Sequence, residues 1–291
     1  MSEAYRAGRG SAAIRDERDV GAYLATRLPA TYAAVAAALD AVMERAPSLA
    51  PKSLLDVGAG PGTASWAAVE RWRSIEAVRM TDSNARFLAA AETLARASPH
   101  PALSTASIER ADVAAAEFAR FDAIIAGYAL GELQESAFAA ALRKLWTACA
   151  GVMLIVEPGT PAGFERVLEA RRLLIELGAR IVAPCPGPYA CPMAEPAWCH
   201  FAVRLQRSRA HLRTKGADVP FEDEKFSYLA VAREGIALEP IAGRIVAPPR
   251  RLKPEMRLTV CGDGSIAERA IPSRDRPAFK RALKKRWGDA I

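Results

Sequence analysis

The stretch LLDVGAGPG, Leu54 to Gly62, decides how the rest of the chain is interpreted. A short apolar run is followed at once by three glycines, and the next segment, 63–72, has the composition of a helix. Glycine permits positive φ and lets the backbone approach a ligand closely, while the following helix points its positive end at that ligand. The stretch therefore predicts a strand, a ligand-binding turn and a helix.

The order of the glycines indicates which class of cofactor this turn binds. Dinucleotide-binding turns follow Gly-x-Gly-x-x-Gly, whereas here Gly58, Gly60 and Gly62 alternate and Pro61 stands between the last two. The proline and the early acid Asp56 argue against a dinucleotide. The segment instead resembles motif I of class I S-adenosylmethionine (SAM)-dependent methyltransferases, in which the acid and the glycines face the methionine part of the cofactor.

The same resemblance assigns further cofactor-binding residues. It implies that Asp82, at the end of the second predicted strand, binds the ribose hydroxyls and that Asp112 lies near the adenine amine. Aspartate is also common in turns and helix caps, so a structural role stays open for both. Tyr128 opens the segment GYALGEL after the fourth predicted strand and should line the substrate side of the cofactor. No general base is evident there, so the sequence supports cofactor binding better than catalysis.

Apolar runs alternate with helical segments along the chain. The predicted strands are 53–57, 77–80, 103–108, 121–126 and 152–156, and the predicted helices are 20–44 (one or two), 63–72, 85–97 and 135–148. This alternation predicts an α/β fold with a parallel, doubly wound, Rossmann-like sheet, and the resemblance makes it a class I methyltransferase sheet.

Four regions follow from these patterns. They are a helical cap (1–50), a SAM-binding core (51–180), a cysteine module with the remaining core strands (181–270) and a basic tail (271–291). No apolar stretch is long enough to span a membrane, and the first residues lack a secretory signal, so we expect a soluble, cytoplasmic protein. In a reducing compartment, five cysteines in 291 residues favour metal ligation over disulfides.

The net positive charge is confined to the last third of the chain. Residues 200–291 hold 20 Lys and Arg against 11 Asp and Glu, whereas residues 1–199 hold 20 against 22. Such an asymmetry is typical of a surface that binds a polyanion, although a merely solvated cationic face also fits. The candidate RNA-binding residues are Arg204, Arg207, Arg213, Arg250, Arg251, Lys280, Lys284, Lys285 and Arg286. Trp287 ends a predicted basic helix and either stacks on a base or anchors the tail.

Four cysteines form the second chemically informative group: Cys185, Cys191, Cys199 and the distant Cys261. Thiolates bind soft metals and iron–sulfur clusters. Three ligands in a wide loop plus one distant ligand favour a [4Fe–4S] cluster, but zinc stays possible, although its sites usually contain two close Cys-x₂-Cys pairs. Cys185 as the nucleophile of a cytosine-C5 RNA methyltransferase is disfavoured, because that family places Pro-Cys after the fourth strand.

Further motifs, in a fixed order, carry a more specific resemblance over roughly residues 54–270. They are the glycine turn, Tyr128–Leu133, Glu157–Pro161, Ala183–Cys191, Trp198–Phe201 with Arg204, and Glu222–Tyr228. The chain resembles the methyltransferase-like proteins of the mitochondrial small ribosomal subunit and their bacterial homologues. The resemblance implies a [4Fe–4S] cluster on the four cysteines and a role in assembling the small subunit on its 16S-type rRNA. Relatives in organelles would act in the mitochondrial matrix. Gly187 departs from the pattern, since many members are expected to have histidine there.

Three functions remain open at this point. The chain is a SAM-dependent rRNA methyltransferase, a non-catalytic assembly factor on a methyltransferase fold, or a small-molecule methyltransferase with an incidental basic tail. The third predicts no salt-dependent RNA binding. Nothing in the sequence indicates an oligomeric state.

Overall fold

The computed structural model describes residues 14–193 and 195–291. Its helices are α1 (Glu17–Arg45), α2 (Thr63–Arg71), α3 (Ala85–Arg96), α4 (Pro101–Ser104), α5 (Glu135–Ala148), α6 (Pro161–Glu176), α7 (Arg209–Lys215) and α8 (Arg276–Ala282). Its strands are β1 (Ser53–Val57), β2 (Ala77–Asp82), β3 (Ser107–Arg110), β4 (Phe121–Gly127), β5 (Cys149–Pro158), β6 (Arg180–Ala183), β7 (Phe201–Gln206), β8 (Phe221–Ala232), β9 (Arg244–Ile245), β10 (Arg250–Arg251), β11 (Glu255–Gly262) and β12 (Ser265–Pro272). Within those ranges no helix has the length and apolarity needed to cross a membrane.

Eight strands form one mixed sheet with the order β3-β2-β1-β4-β5-β8-β6, and β7 also pairs with β8. Strands β1 to β5 pair in parallel, as the sequence predicts. Strand β8 runs antiparallel to β5, β6 and β7, so the prediction of a wholly parallel sheet is wrong at this edge. Residues 207–220 join β7 to β8 through α7, and β8 then lies between β5 and β6, so its direction depends on which strands pair and not on a local sequence signal. The result is a Rossmann-like methyltransferase fold with a mixed sheet.

Strands β6 and β7 lie end to end along one edge of β8. Ala183 of β6 pairs with Ala230, and Phe201 of β7 pairs with Phe226. Residues 184–193 and 195–200 therefore belong to an insertion between two strands that pair with the same edge of β8. This insertion carries three of the four predicted metal-ligating cysteines.

A second, four-stranded sheet contains β9 to β12, with β11 pairing antiparallel with each of the other three. From the sequence we expected only a cysteine module and the remaining core strands in this region, and not a separate sheet. Buried residues alternate along β11, whereas β12 is largely exposed. Strands covered on one face alternate apolar and polar residues, whereas the strands predicted from the sequence were identified by continuous apolar runs.

The N-terminal cap is one continuous helix rather than two. Asp16 caps α1 by accepting from the backbone N–H of Asp19 at 2.9 Å. An alanine-rich stripe that includes Ala30, Ala34 and Ala38 is fully buried, which lets the helix lie close to the sheet. Residues 1–13 of the predicted cap lie outside the described residues.

Two other local predictions need correction. The strand expected at 103–108 begins later, because Pro101 starts the short helix α4 and the strand is Ser107–Arg110. The basic helix expected over the tail is confined to α8. Trp287 lies beyond it and packs against His200 and Phe201, with ring centroids 4.9 and 6.4 Å apart, so it anchors the tail.

Candidate functional site

The glycine turn follows β1 in the backbone conformation that the sequence predicts. Gly58, Gly60 and Gly62 all have positive φ, between 56° and 84°. A Cβ atom on Gly58 would overlap the Cβ of Ala129, so this position excludes any side chain. The turn therefore brings bare backbone to the carboxyl ends of β1 and β4.

Asp56 holds this turn from behind. Its carboxylate accepts hydrogen bonds from the backbone N–H of Ser65 at 2.9 Å and from the Ser65 hydroxyl at 2.7 Å. Burial raises the pKa of Asp56 to about 6, despite these bonds. The group ties α2 to β1, which differs from the expectation that it faces a cofactor.

Asp82 ends β2 and points its carboxylate at the glycine turn. One oxygen accepts from the backbone N–H of Gly60 at 2.8 Å and the other from that of Asn84 at 2.7 Å. Burial raises the pKa of Asp82, and these backbone donors oppose the rise. A carboxylate offers about four acceptor positions, so positions remain for hydroxyl donors.

A cavity of about 460 Å³ opens at the carboxyl ends of β1, β2 and β4. The cofactor-binding residues predicted from the sequence that line it are Gly58, Gly60, Asp82, Asp112 and Tyr128. Asp56 and Gly62 are not among the described residues that line the cavity. This position is where open α/β sheets bind ligands.

Tyr128 belongs to a network that we did not predict from the sequence. Its hydroxyl donates to Glu224 of β8 at 3.0 Å, and Arg27 of α1 donates to both oxygens of Glu224 at 3.0 and 3.1 Å. The Arg27 guanidinium also lies 5.8 Å from the centre of the Tyr128 ring. Burial and the Glu224 carboxylate raise the pKa of Tyr128 well above its ordinary value. The sequence signal available for Glu224 is the acidic stretch Glu222–Glu224, in which charges this close to Lys225 fit a structural role as well as a functional one.

All four predicted cysteine ligands line one small apolar cavity of about 40 Å³. Cys185 and Cys191 come from the insertion and Cys261 from β11. Cys199 precedes β7, and its carbonyl oxygen accepts from the Ser227 hydroxyl at 2.8 Å, in the part of β8 between its pairing with β6 and its pairing with β7. The tertiary structure therefore brings together residues that are far apart in the sequence.

Burial and the proximity of the thiols to one another shift their pKa values. Burial raises the pKa of Cys185, whereas the Arg171 guanidinium lowers it. Burial and the neighbouring thiols raise the pKa of Cys261 to about 11 and that of Cys199 well above its usual value. In residues 14–193 and 195–291, no group of three or more His, Cys, Asp or Glu side chains is arranged so that it could hold a metal ion. Cys149, the fifth cysteine, is fully buried in the core and does not line this cavity.

The predicted RNA-binding cations divide into two sets. Arg204, Arg207 and Arg250 pair with Asp223, Glu222 and Glu268, and Lys285 donates to the carbonyl oxygen of Ala290. The remaining cations, which form no ion pair with another described residue, are Arg213, Arg251, Lys280, Lys284 and Arg286. These five side chains are exposed. The ion pairs reduce the charge that the first set can offer to a phosphate.

A family described as "Mitochondrial small ribosomal subunit Rsm22" matches this chain over residues 17–291. The chain belongs to the Rsm22 family. The match covers both sheets, the insertion and the C-terminal residues, and it confirms the resemblance that the ordered sequence motifs carry.

Two curated relatives of this Rsm22-family chain extend well beyond it. The human mitochondrial ribosome assembly protein METTL17 is 27% identical over 295 residues, which cover 92% of this chain and 61% of the relative. The mitochondrial Rsm22-cox11 tandem protein 2 of Schizosaccharomyces pombe is 24% identical over 322 residues, which cover 92% of this chain and 42% of the relative. The chain thus spans about three fifths of the human protein and about two fifths of the yeast protein.

Two solved structures illustrate the likeness of this Rsm22-family chain to known folds. Magnesium protoporphyrin IX methyltransferase from Synechocystis, with bound SAH, is 13% identical with a TM-score of 0.44, covering 70% of this chain and 82% of that one. The YcgJ protein of Bacillus subtilis is 15% identical with a TM-score of 0.43, covering 69% and 99%. The fold assignment rests on the strand order and directions of this chain's own sheet.

Proposed function

We propose that this chain is an assembly factor of the small ribosomal subunit that binds SAM and holds an iron–sulfur cluster. The observation that carries the proposal is the presence, in one member of the Rsm22 family, of a cavity at the strand ends and four thiols around a second cavity. The ribosome assembly role named for the human relative supports the choice of partner. The chain would act where its small subunit is assembled, in a bacterial cytoplasm or in the mitochondrial matrix.

The strand-end cavity suits SAM in size and polarity. The bare backbone of Gly58 and Gly60 leaves room for the methionine part, and Asp82 retains acceptor positions for ribose hydroxyls. Asp112 is exposed at the rim, where its carboxylate also caps a turn by accepting from the backbone N–H of Ala114 at 2.9 Å. When bound, SAM would supply an electrophilic methyl group.

The four thiols fit a polynuclear cluster better than a single zinc ion. Zinc holds thiolates at about 2.3 Å, so its ligands must converge on one point. All four thiols line one cavity, but no group of three or more His, Cys, Asp or Glu among the described residues is arranged to hold a metal ion, so the preference for a cluster rests on the cysteine spacing. A [4Fe–4S] cluster accepts one thiolate at each of four separate irons. Zinc remains the alternative that metal analysis decides.

Non-catalytic assembly is favoured over rRNA methylation. Tyr128 faces the cavity, but its hydroxyl is engaged by Glu224, which Arg27 holds in turn. The Glu224 carboxylate, when held in this way, is a poor general base, because accepting a proton would break its buried ion pair with Arg27. Methyl transfer to rRNA is the second candidate, since the sheet is of the methyltransferase type and the cavity lies where such sheets bind ligands.

Metal analysis of the anaerobically purified chain tests the cluster. About four irons and four acid-labile sulfides per chain, lost in Cys191→Ser, are expected. Cys149→Ser is the matched control, because Cys149 is buried elsewhere and should leave the metal in place. One zinc per chain would replace the cluster by a zinc site, and no metal would overturn the four-cysteine assignment.

Complementation of a strain that lacks this protein tests the role in assembly. Wild type should restore mature small subunits, and Cys191→Ser should not. If Asp82→Ala abolishes SAM binding but restores assembly and leaves rRNA methylation unchanged, methyl transfer is not the essential activity. Loss of methylation at a defined rRNA position in the Asp82→Ala strain would favour the enzyme. Full assembly without the chain would overturn the proposed function.

A further inference from the structure

Two arginines line the thiol cavity together with the four cysteines. Arg171 of α6 is 8% exposed and Arg244 of β9 is 1% exposed. Burying a guanidinium is costly unless hydrogen bonds and an opposite charge compensate it. The chain therefore places two cations where burial alone would disfavour them.

Arg171 is bonded to the cysteine loop but lacks a carboxylate partner in the described parts of the chain. Its Nη2 donates to the carbonyl oxygens of Gly187, at 3.4 Å, and of Tyr189, both of which lie between Cys185 and Cys191. Its Nε is buried and has no hydrogen-bond partner in those same parts. The side chain thus braces the loop while one donor and the positive charge stay uncompensated.

Arg244 also has one buried donor without a partner in the described part of the chain, although, unlike Arg171, it pairs with a carboxylate. Its Nε donates to the carbonyl oxygen of Pro184 at 3.0 Å, and its Nη1 donates to the carbonyl oxygen of Gly288 at 2.9 Å and to a carboxylate oxygen of Glu44 at 2.8 Å. Its Nη2 is buried without a partner among the described residues. Glu44 is the one carboxylate that pairs with either arginine there, and it is partly exposed.

We propose that Arg171 and Arg244 are the charge partners of an anionic four-thiolate metal centre. The inference rests on the proposed ligation by four cysteines, but it holds for a cluster or for zinc. Four thiolates carry more negative charge than a zinc ion or an oxidised [4Fe–4S] core neutralises, so either centre is an anion. That anion would occupy the cavity onto which both guanidinium groups face, and Arg171 would in addition fix the loop that presents two of the ligands.

Arg171 is the better residue to test, because α6 also offers a matched control. Its neighbour Arg172 is exposed and pairs with Glu176 at the surface. The full chain would be prepared as wild type, Arg171→Met, Arg171→Lys and Arg172→Met, and circular dichroism would verify that each is folded. The measurement is the rate at which a chelator removes the bound metal, with the midpoint potential added if that metal is an iron–sulfur cluster.

Charge pairing predicts a distinct order among the variants. Arg171→Met should lose metal about 10- to 100-fold faster than wild type, as is usual when a group supporting metal ligands is removed. Arg171→Lys should lose metal at an intermediate rate, because lysine keeps the positive charge but does not reproduce the hydrogen bonds of Arg171 to two carbonyl oxygens. Arg172→Met should lose metal at the wild-type rate. For a cluster, Arg171→Met should have a more negative midpoint potential, because a cation that favours the reduced form is gone.

Different experimental outcomes would overturn this inference alone or the proposed function as well. A wild type without metal overturns both. A wild type with metal and an Arg171→Met variant that behaves identically overturns the charge partnership alone. Equal rates of metal loss in Arg171→Met and Arg171→Lys, with an unchanged midpoint potential, would show that Arg171 only braces the cysteine loop. That result would also overturn the charge partnership. If Arg171→Met does not fold, the comparison of Arg171→Lys with Arg172→Met still decides.

Discussion

Gly58 lies at the strand-end cavity in a position that leaves no space for a side chain. Positive φ makes any other residue costly there, and the overlap of an added Cβ with Ala129 is a further clash. Asp82 and Gly60 then fix the turn from the neighbouring strand. Single residues therefore set the geometry of the cavity through backbone conformation more than through side-chain chemistry.

Gly58→Ala should lower the free energy of unfolding by several kcal/mol and abolish SAM binding. The left-handed conformation alone costs about 1–2 kcal/mol, and overpacking adds about 1–3 kcal/mol. Gly178→Ala is the control, because Gly178 also has positive φ but has open space around it. Urea unfolding and calorimetric titration with SAM measure the two effects. SAM binding by Gly58→Ala equal to that by Gly178→Ala would contradict the prediction.

Asp56 should make the stability of the chain pH-dependent. Its pKa is 3.8 in an unfolded chain and about 6 when folded, so the folded state holds the proton more tightly. The stability from this group is fully present below pH 3.8 and is lost as the pH rises through about 6. Asp56→Asn cannot titrate, so its stability deficit relative to wild type should shrink over this pH range. A deficit that stays constant in urea unfolding across the range would contradict the assignment.

At the scale of elements, α1 and β8 connect the two cavities. Strand β8 carries Glu224, which bonds Tyr128 in the strand-end cavity, and Ser227, which bonds the Cys199 carbonyl beside the thiol cavity. Helix α1 covers this strand and supplies Arg27 to Glu224. The register of one strand thus positions residues of both sites.

Arg27→Met should destabilise the chain by about 3 kcal/mol, because it leaves the carboxylate of Glu224 largely buried without its cation. Arg96→Met provides the control: Arg96 forms an exposed pair with Glu92, one turn away on α3, and its loss should cost less than about 0.5 kcal/mol. Chemical denaturation of both variants measures the difference. Similar small losses would show that the Arg27 pair is not a structural link.

At the scale of the whole molecule, charge is distributed unevenly. The excess of cations after residue 200 is partly neutralised by ion pairs around β7, β8 and β12. Three of the five unpaired cations in the predicted RNA-binding set, Lys280, Lys284 and Arg286, lie in or just after α8, in the tail that Trp287 anchors to the main body. The C-terminal region is therefore the surface on which we expect rRNA.

Replacing Lys280, Lys284 and Arg286 by glutamine should weaken binding to a small-subunit rRNA transcript. Each phosphate that the variant no longer neutralises should reduce the slope of log affinity against log salt by about 0.7–0.9. Arg204→Gln is the control and should change the slope less, because Asp223 already pairs with Arg204. Filter binding over a salt series measures both. An unchanged slope in the triple variant would place the RNA surface elsewhere.

Much of the first half of the fold could be predicted from the sequence. The strand 53–57 and the helix 135–148 have the predicted bounds, because apolar periodicity and glycine punctuation are local signals. The direction of β8 and the second sheet could not be predicted, because they depend on which strands pair. Buried arginines such as Arg171 and Arg244 had no recognisable signal, since arginine is usually exposed.

The sequence by itself determined the glycine turn, the alternation of strands and helices, the cysteine spacing and the charge asymmetry. These features follow from backbone preferences and composition within short windows. Only the tertiary structure decided that Cys261 meets the three loop cysteines, that Arg27 meets Glu224 across 197 residues, and that two buried arginines face the thiols. Such contacts depend on strand direction and register over long separations, which no local pattern encodes.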